Sequence, residues 1–177
     1  IDIVFYRGIE FCIEFCIEKK NSIFNTIFNT ISIQLLYCRH YWRCIENFCI
    51  GSTMFCEVLP NPQPHYAICL DMVGDKEPSF PIEYFSYQQA PLLVKEIWTL
   101  AQNLGYEEFE NKIVGPIYDD HRALYINSGI PAIDIIDFDY PYWHTLDDIP
   151  DNCSSKTLKI VGNVVTEFIY IKDYTVE

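Results

Sequence analysis

Three groups of polar residues stand where side chains could act together. Asp71 closes the apolar run His65–Met72 (HYAICLDM). Asp119, Asp120 and His121 open a run that continues to Ser128. His144 lies in Tyr142-Trp143-His144-Thr145, shortly after Ala132–Phe138 (AIDIIDF). Each has an ordinary reading by itself. Asp71 suits a turn after a strand, Asp119 or Asp120 an N-cap, His121 a capping or packing group, and His144 an aromatic cluster with Trp143. Together they favour a site, because open α/β sheets bind ligands at the carboxyl ends of their strands. Carboxylates and an imidazole on one rim make a hard-to-borderline cation site, for which zinc is the best-matched ion.

The elements that must position these residues are legible from Phe48 onward. Phe48–Leu59 reads as a short helix entered through Gly51-Ser52 and ended by Pro60, Pro62 and Pro64. His65–Met72 and Ala132–Phe138 read as strands apolar nearly throughout, as in a sheet covered on both faces. Ala90–Leu104 is an amphipathic helix with Pro91 in its first turn and Gly105 past its end, and Leu93, Ile97, Trp98 and Ala101 share a face. Asp120–Ser128 is a second helix. Ser154 or Ser155 caps a last one that runs to about Ile171. Strands alternating with helices predict an α/β layer fold with a largely parallel sheet.

Length and charge bound the rest. The 177 residues are one domain's worth, and a 50% hydrophobic content excludes a disordered chain. A formal charge of −13 argues against nucleic-acid partners, whose phosphates need Lys and Arg. That charge is uneven. Residues 1–50 balance Asp2, Glu10, Glu14, Glu18 and Glu46 against Arg7, Lys19, Lys20, Arg39 and Arg43, so residues 51–177 carry the whole −13. All ten prolines fall at or after Pro60, whereas six of the eight cysteines fall at or before Cys56.

Residues 1–6 (IDIVFY) read as a buried strand. The tracts that follow, with near-duplications such as IFNT-IFNT, are low-complexity signals. Cys12, Cys16, Cys38, Cys44 and Cys49 do not match the paired spacing of structural zinc sites, so ordinary apolar cysteines are expected. No basic-then-apolar leader is visible, and no run reaches the roughly 18 uninterrupted apolar residues of a membrane span.

Four segments in order carry a family resemblance: Leu70–Asp75 (LDMVGD), Gly115–His121 (GPIYDDH), Gly129–Ile136 (GIPAIDII) and Tyr142–Asp148 (YWHTLDD). They resemble the zinc aminopeptidases whose family also contains the glutaminyl cyclases, and Phe48–Ser52 resembles the segment preceding the first of them. The similarity covers about residues 48–172. It implies a three-layer α/β sandwich, with a mostly parallel central sheet flanked by helices as in the zinc exopeptidases, and with the amino-terminal strands missing. On that basis residues 1–177 are one partial peptidase-like domain, with 7–47 a divergent segment and 48–172 the family-like core. It further implies one or two zinc ions, a peptide substrate, and a metal-activated water that attacks the scissile carbonyl while a Glu takes its proton. Asp71 and His144 match zinc ligands. Asp119, beside Asp120, resembles a carboxylate that orients the site, and Trp143, beside Tyr142, resembles a pocket wall. Export to the periplasm or exterior is implied through the resemblance alone; the residues themselves name neither a compartment nor an oligomeric state.

The departures are specific. In the family, the strand matching IDIVFY leads into a Phe-Asp-Gly-Glu-Glu or Phe-Asp-Gly-Glu-Asp turn that supplies the general base and then a ligand. Here the turn is Tyr6-Arg7-Gly8-Ile9-Glu10. Glu10 falls at the ligand position, but Ile9 occupies the base position and cannot transfer a proton, so no catalytic base is assigned. The earlier His and bridging Asp are expected upstream of Ile1. Three functions follow: an aminopeptidase-type hydrolase, a glutaminyl-peptide cyclotransferase, or a non-catalytic fragment or pseudoenzyme. The Asp119–Gly129 spacing, and Asp134 where the resemblance places a His in cyclases, favour the first over the second. With its first strands missing, the sheet edge would expose unpaired backbone, so the isolated chain is expected to associate unless residues 7–47 cover it.

The bias of residues 7–47 towards Ile, Phe, Asn and Cys motivates the hypothesis of a shifted reading frame or sequence decay. The nucleotide sequence read in all frames should yield an acidic turn after IDIVF in a second frame. If none does, the frame shift is excluded.

Overall fold

The computed structural model describes residues 3–7 and 48–174. Ile9, Glu10, His40 and the cysteines before Cys49 lie outside the described residues. In chain order the elements are β1 (Ile3–Arg7), α1 (Ile50–Phe55) continuing as a 3-10 turn at Cys56–Val58, β2 (Ala67–Asp71), β3 (Phe80–Ile82), α2 (Tyr84–Gln89), α3 (Pro91–Asn103), β4 (Phe109–Ile113), α4 (Asp120–Ser128), β5 (Ala132–Ile136), a 3-10 turn at Pro150–Asn152, and α5 (Ser155–Tyr174).

β2 and β5 are buried along their whole lengths, as continuous apolar strands must be when both sheet faces are covered. They pair in parallel from Ala67 with Ala132 to Asp71 with Ile136. β1 pairs in parallel on the other side of β2, from Ile3 with Ala67 to Arg7 with Asp71. The order is β1-β2-β5, so Arg7, Asp71 and Ile136 end the strands on one rim. β3 and β4 form a separate parallel pair.

Alternation along the strands divides the two faces. Ile68, Leu70, Ile133 and Ile135 face one core with Leu93, Ile97 and Trp98 of α3 and Val161, Val164 and Phe168 of α5. Ala67, Cys69 and Ala132 face a smaller cluster with Leu124 of α4, against which Phe55 and Leu59 pack. Helices therefore cover both faces, as the three-layer reading requires. Asp71 and Asp134 share strand parity with Cys69 and Ala132, which places them on the face that α4 covers.

α3 follows its sequence pattern: Leu93, Ile97, Trp98 and Ala101 are buried, Pro91 sits at its start, and Gly105 past its end has φ 82°. α4 ends where Gly129 takes φ 74° and donates its N–H to the Tyr125 carbonyl at 2.9 Å. Ser154 precedes α5, and its Oγ accepts from the Thr157 N–H at 3.4 Å.

Three expectations need correction. The first helix does not begin at Gly51-Ser52. It is entered through Cys49, whose backbone is left-handed (φ 57°) and whose carbonyl accepts from the Thr53 N–H and Oγ1, both at 3.0 Å. Gly51 and Ser52 are helical, and Ser52 is buried because its hydroxyl donates to Asp120 Oδ1 at 2.6 Å. β2 stops at Asp71, short of Met72, because the chain turns left-handed there (φ 53°), and β5 stops at Ile136, short of Phe138. β3, β4 and α2 were not legible. β3 is three residues around Pro81, β4 (FENKI) is mostly charged or polar, and α2 is six residues long.

Trp98 is fully buried, its indole N–H donates to the Phe80 carbonyl at 3.0 Å, and its ring packs on Phe109 at 5.5 Å. Trp98→Ala should lower unfolding free energy by about 3–5 kcal/mol, read from the midpoint of a urea titration. A loss below about 1 kcal/mol would show that this helix-to-sheet contact is not part of the cooperative core.

Candidate functional site

The rim at the carboxyl ends of β2 and β5 receives its polar groups from three elements. Asp71 ends β2 and is buried, and its carbonyl accepts from the Asp137 N–H at 3.4 Å. α4 leads through Gly129 into the start of β5, so its amino end lies at the same rim. There buried Asp119 caps the helix, with Oδ1 accepting from the Asp120 N–H at 2.6 Å. A carboxylate suits this position because a helix amino end carries partial positive charge. Cys49, Asp119 and Asp120 offer ligand atoms that all lie within 4.8 Å of one another. Cys49 carries no such signal in the sequence, where it stands far from both aspartates and outside the paired spacing of zinc sites.

His144 and Trp143 are exposed on the segment after β5, with their rings stacked at 4.3 Å. Tyr142 is half-buried against Tyr140, ring centroids 5.7 Å apart. The Tyr142 carbonyl accepts from both the Thr145 N–H (3.0 Å) and Thr145 Oγ1 (2.7 Å), which closes a tight turn with His144 at φ 58°. Among the described residues, the non-glycine residues with positive φ are Cys49, Met72 and His144. Each belongs to or adjoins a candidate site group. Such conformations cost on the order of 1–3 kcal/mol and cluster at functional sites. Asp71 and His144 join no group of three ligand-capable side chains at that spacing among the described residues.

Behind the rim is a buried polar cluster that the residue pattern did not disclose. Glu83 has no exposure and caps α2. Its Oε1 accepts from the Phe85 and Ile117 N–H groups, at 2.8 and 2.9 Å. Its Oε2 accepts from the Ser86 N–H at 2.6 Å, Ser86 Oγ at 2.9 Å and His121 Nε2 at 3.0 Å. Burial alone would raise this carboxyl, but the bonds from His121, Phe85, Ile117 and Ser86 outweigh it and hold the group below the usual range. His121 Nδ1 lies 3.5 Å from Oδ2 of Asp134, and both side chains are fully buried. Neither Asp134 oxygen has a hydrogen-bond partner among the described residues. Burial, then the charges of Asp119, Asp71, Glu83 and Asp120, push the Asp134 carboxyl well up. Burial and the same acidic surroundings keep Cys69, opposite Asp134 in the sheet register, a thiol.

His121 was expected to cap or pack, and it does pack, though as a hydrogen-bonded member of this cluster. Asp134 carried a legible signal, a lone carboxylate inside an apolar strand, which is costly unless partnered or neutral. Glu83 carried none, because Glu is not among the preferred N-cap residues.

The donor set suits zinc. Carboxylates, an imidazole and a thiol are its ligand types, and a divalent cation at this rim would relieve the mutual repulsion that Asp71, Asp119 and Asp120 impose on Asp134.

The chain matches the model of peptidase family M28 over residues 40–169. It is similar to a Zn-dependent exopeptidase from Parabacteroides distasonis, at 35% identity and a TM-score of 0.69, covering 75% of this chain and 49% of that one. It is also similar to a leucine aminopeptidase precursor from Bacteroides thetaiotaomicron, at 33% identity and a TM-score of 0.68, covering 75% and 48%. Tannerella forsythia glutaminyl cyclase matches at 34% identity and a TM-score of 0.68, covering 74% and 48%. The chain thus spans about half the length of these solved relatives.

Asp137 gives the rim a measurable pH signature. Burial pushes its carboxyl up to about 6, against the bonds it accepts from the Asp139 N–H at 3.1 Å and the Ser79 N–H at 3.4 Å. A carboxyl raised in the folded state favours folding through its neutral form. That contribution is complete below the unfolded-state value of about 4 and is lost as pH rises through the folded value. Asp137→Asn should therefore gain Tm relative to wild type as pH is raised from about 4 to about 7. Parallel Tm profiles for the two proteins would contradict the assignment.

Proposed function

We propose, for a chain that belongs to peptidase family M28, a metal-dependent hydrolase site of aminopeptidase type, incomplete as the sequence stands because Ile9 occupies the base position, carried on the rim that bears Asp71, Asp119 and His144. The observation that supports it most is the placement of Asp71. It is a buried carboxylate at the carboxyl end of the central parallel strand, on the face covered by the helix that Asp119 caps. Similarity to a Zn-dependent exopeptidase and to a leucine aminopeptidase precursor supports the same chemistry.

In this reading Asp71 and His144 hold zinc, with Glu10 of the preceding turn as the further ligand in this chain. Bound zinc would supply Lewis acidity toward a peptide carbonyl and acidify a water enough to attack at neutral pH. The chain's own residues do the rest. Asp119 fixes the orientation of the ligand set, a role on which metal affinity depends strongly, and Asp120 is held beside it by Ser52. Trp143 presents an exposed aromatic face, stacked with His144, against which a substrate's amino-terminal residue would lie, and Tyr142 supports the turn. Ile9 stands where a base is expected, so proton removal is the missing function. Residues 1–177 then form one partial peptidase-like domain, with 48–172 as its core and 7–47 divergent.

Glutaminyl-peptide cyclisation is the second reading, supported by the similarity to the Tannerella forsythia cyclase. A non-catalytic scaffold is the third, supported by Ile9.

Zinc titration of the chain by calorimetry should show weak but measurable binding. Asp71→Asn and His144→Ala should each reduce it by about 10-fold or more. An aminoacyl-anilide and an N-terminal glutaminyl peptide should both turn over little or not at all. Robust anilide hydrolysis abolished by His144→Ala would mean that a base exists elsewhere in the chain. Cyclisation without hydrolysis would favour the second reading.

A further inference from the structure

We propose that Glu83, His121 and Asp134 form a buried relay of positioning residues that clamps the chain on both sides of Asp119 and so sets the direction of its carboxylate. The inference rests on the rim metal site proposed above and names three residues for it that lie in the interior.

The clamp is visible in the spacing. Two residues before Asp119, the Ile117 N–H donates to Glu83 Oε1 at 2.9 Å. Two residues after it, His121 Nε2 meets Glu83 Oε2 at 3.0 Å. One carboxylate thus grips both flanks of the helix start that Asp119 caps. Glu83 is itself held by the Phe85 and Ser86 N–H groups, so the clamp is anchored to α2. Ser86 Oγ donates to Glu83 Oε2 and accepts from the backbone N–H of Asp134, both at 2.9 Å, which ties the network to the central strand β5. Gln89, also on α2, reinforces the joint by donating to the Ala132 carbonyl at 2.7 Å and the His121 carbonyl at 3.3 Å.

The proton arrangement follows from these partners. Glu83 Oε2 receives two donors from Ser86, which marks it as an acceptor toward His121, so the ring carries its proton on Nε2. Nδ1 faces Asp134 Oδ2 at 3.5 Å, and neither group has a hydrogen-bond partner among the described residues. Burial and the surrounding acids favour the neutral form of Asp134, so the proton between the two belongs to the carboxyl and Nδ1 faces it as an acceptor. A carboxyl proton on Asp134 completes the chain from Asp134 through His121 to Glu83. The bond that one imidazole nitrogen makes fixes the tautomer and orientation of the other. No proton needs to move during function; the relay holds a tautomer and a ring plane.

The test has one arm that needs no metal and one that does. Nitrogen NMR of the full chain, with the ring assigned by its loss in His121→Gln, should show a neutral imidazole protonated at Nε2 and bare at Nδ1. A proton on Nδ1, or a doubly protonated ring at neutral pH, would overturn the relay. In the second arm, zinc affinity should survive Asp134→Asn, whose amide N–H replaces the carboxyl proton. It should fall by about 10-fold or more in Asp134→Leu, which keeps bulk but donates nothing. Equal losses in both variants, or none in either, would overturn it too. If the wild-type chain binds no zinc, the rim reading fails by itself, and the nitrogen spectrum still decides the relay.

Discussion

An ionised carboxylate sealed from water persists only where donors replace its hydration. Glu83 receives five such bonds, from two backbone N–H groups and one hydroxyl on α2, one N–H in the loop before α4, and one imidazole inside α4. That acceptor joins elements distant in sequence, and through Ser86 it reaches the backbone of β5. The entry angle of α4, and hence the position of Asp119, depends on this charge remaining buried and paired. A hydrophobic contact could bring α2 and α4 together without fixing their relative rotation. Several short, directional bonds to one carboxylate fix both.

The opposing constraint is repulsion. Asp71, Asp119 and Asp120 act on Asp134 with the same sign, and β2 and β5 offer no basic side chain in return. Such a concentration is unfavourable in an empty interior and favourable beside a cation. The left-handed backbone at Cys49, Met72 and His144 is a second local cost placed beside the same groups. Structures retain costs of this kind where the site needs the geometry.

Legibility followed the range of the interaction. The run from Ala90 to Leu104 has its apolar spacing and both end signals within fifteen residues, and α3 formed as read. The central strands were legible because AICLD and AIDII are short, apolar and bounded. The start of the first helix was not legible because its cap is a left-handed Cys49 with no side-chain capping bond, and the helix is tied down by a contact distant in sequence, Ser52 with Asp120. β3 and β4 were missed because three residues around a proline and a mostly charged pentamer carry no period. They pair because α3, with Trp98, brings Phe80 and Phe109 together.

The sequence by itself determined the layered α/β class, the acidic character of residues 51–177, and the family, through four short segments kept in order. It also marked Asp71, Asp119 and His144 as the polar groups to watch, since each adjoins an element whose end is locally encoded. Only the tertiary structure decided which carboxylates lie behind that rim, in what state of pairing. Glu83 and Asp134 are separated by more than fifty residues, and no local rule relates a cap on α2 to a carboxylate in β5. Their relation exists only once α2, α4 and β5 are packed, because burial is what turns a hydrated, replaceable charge into a fixed point of the structure.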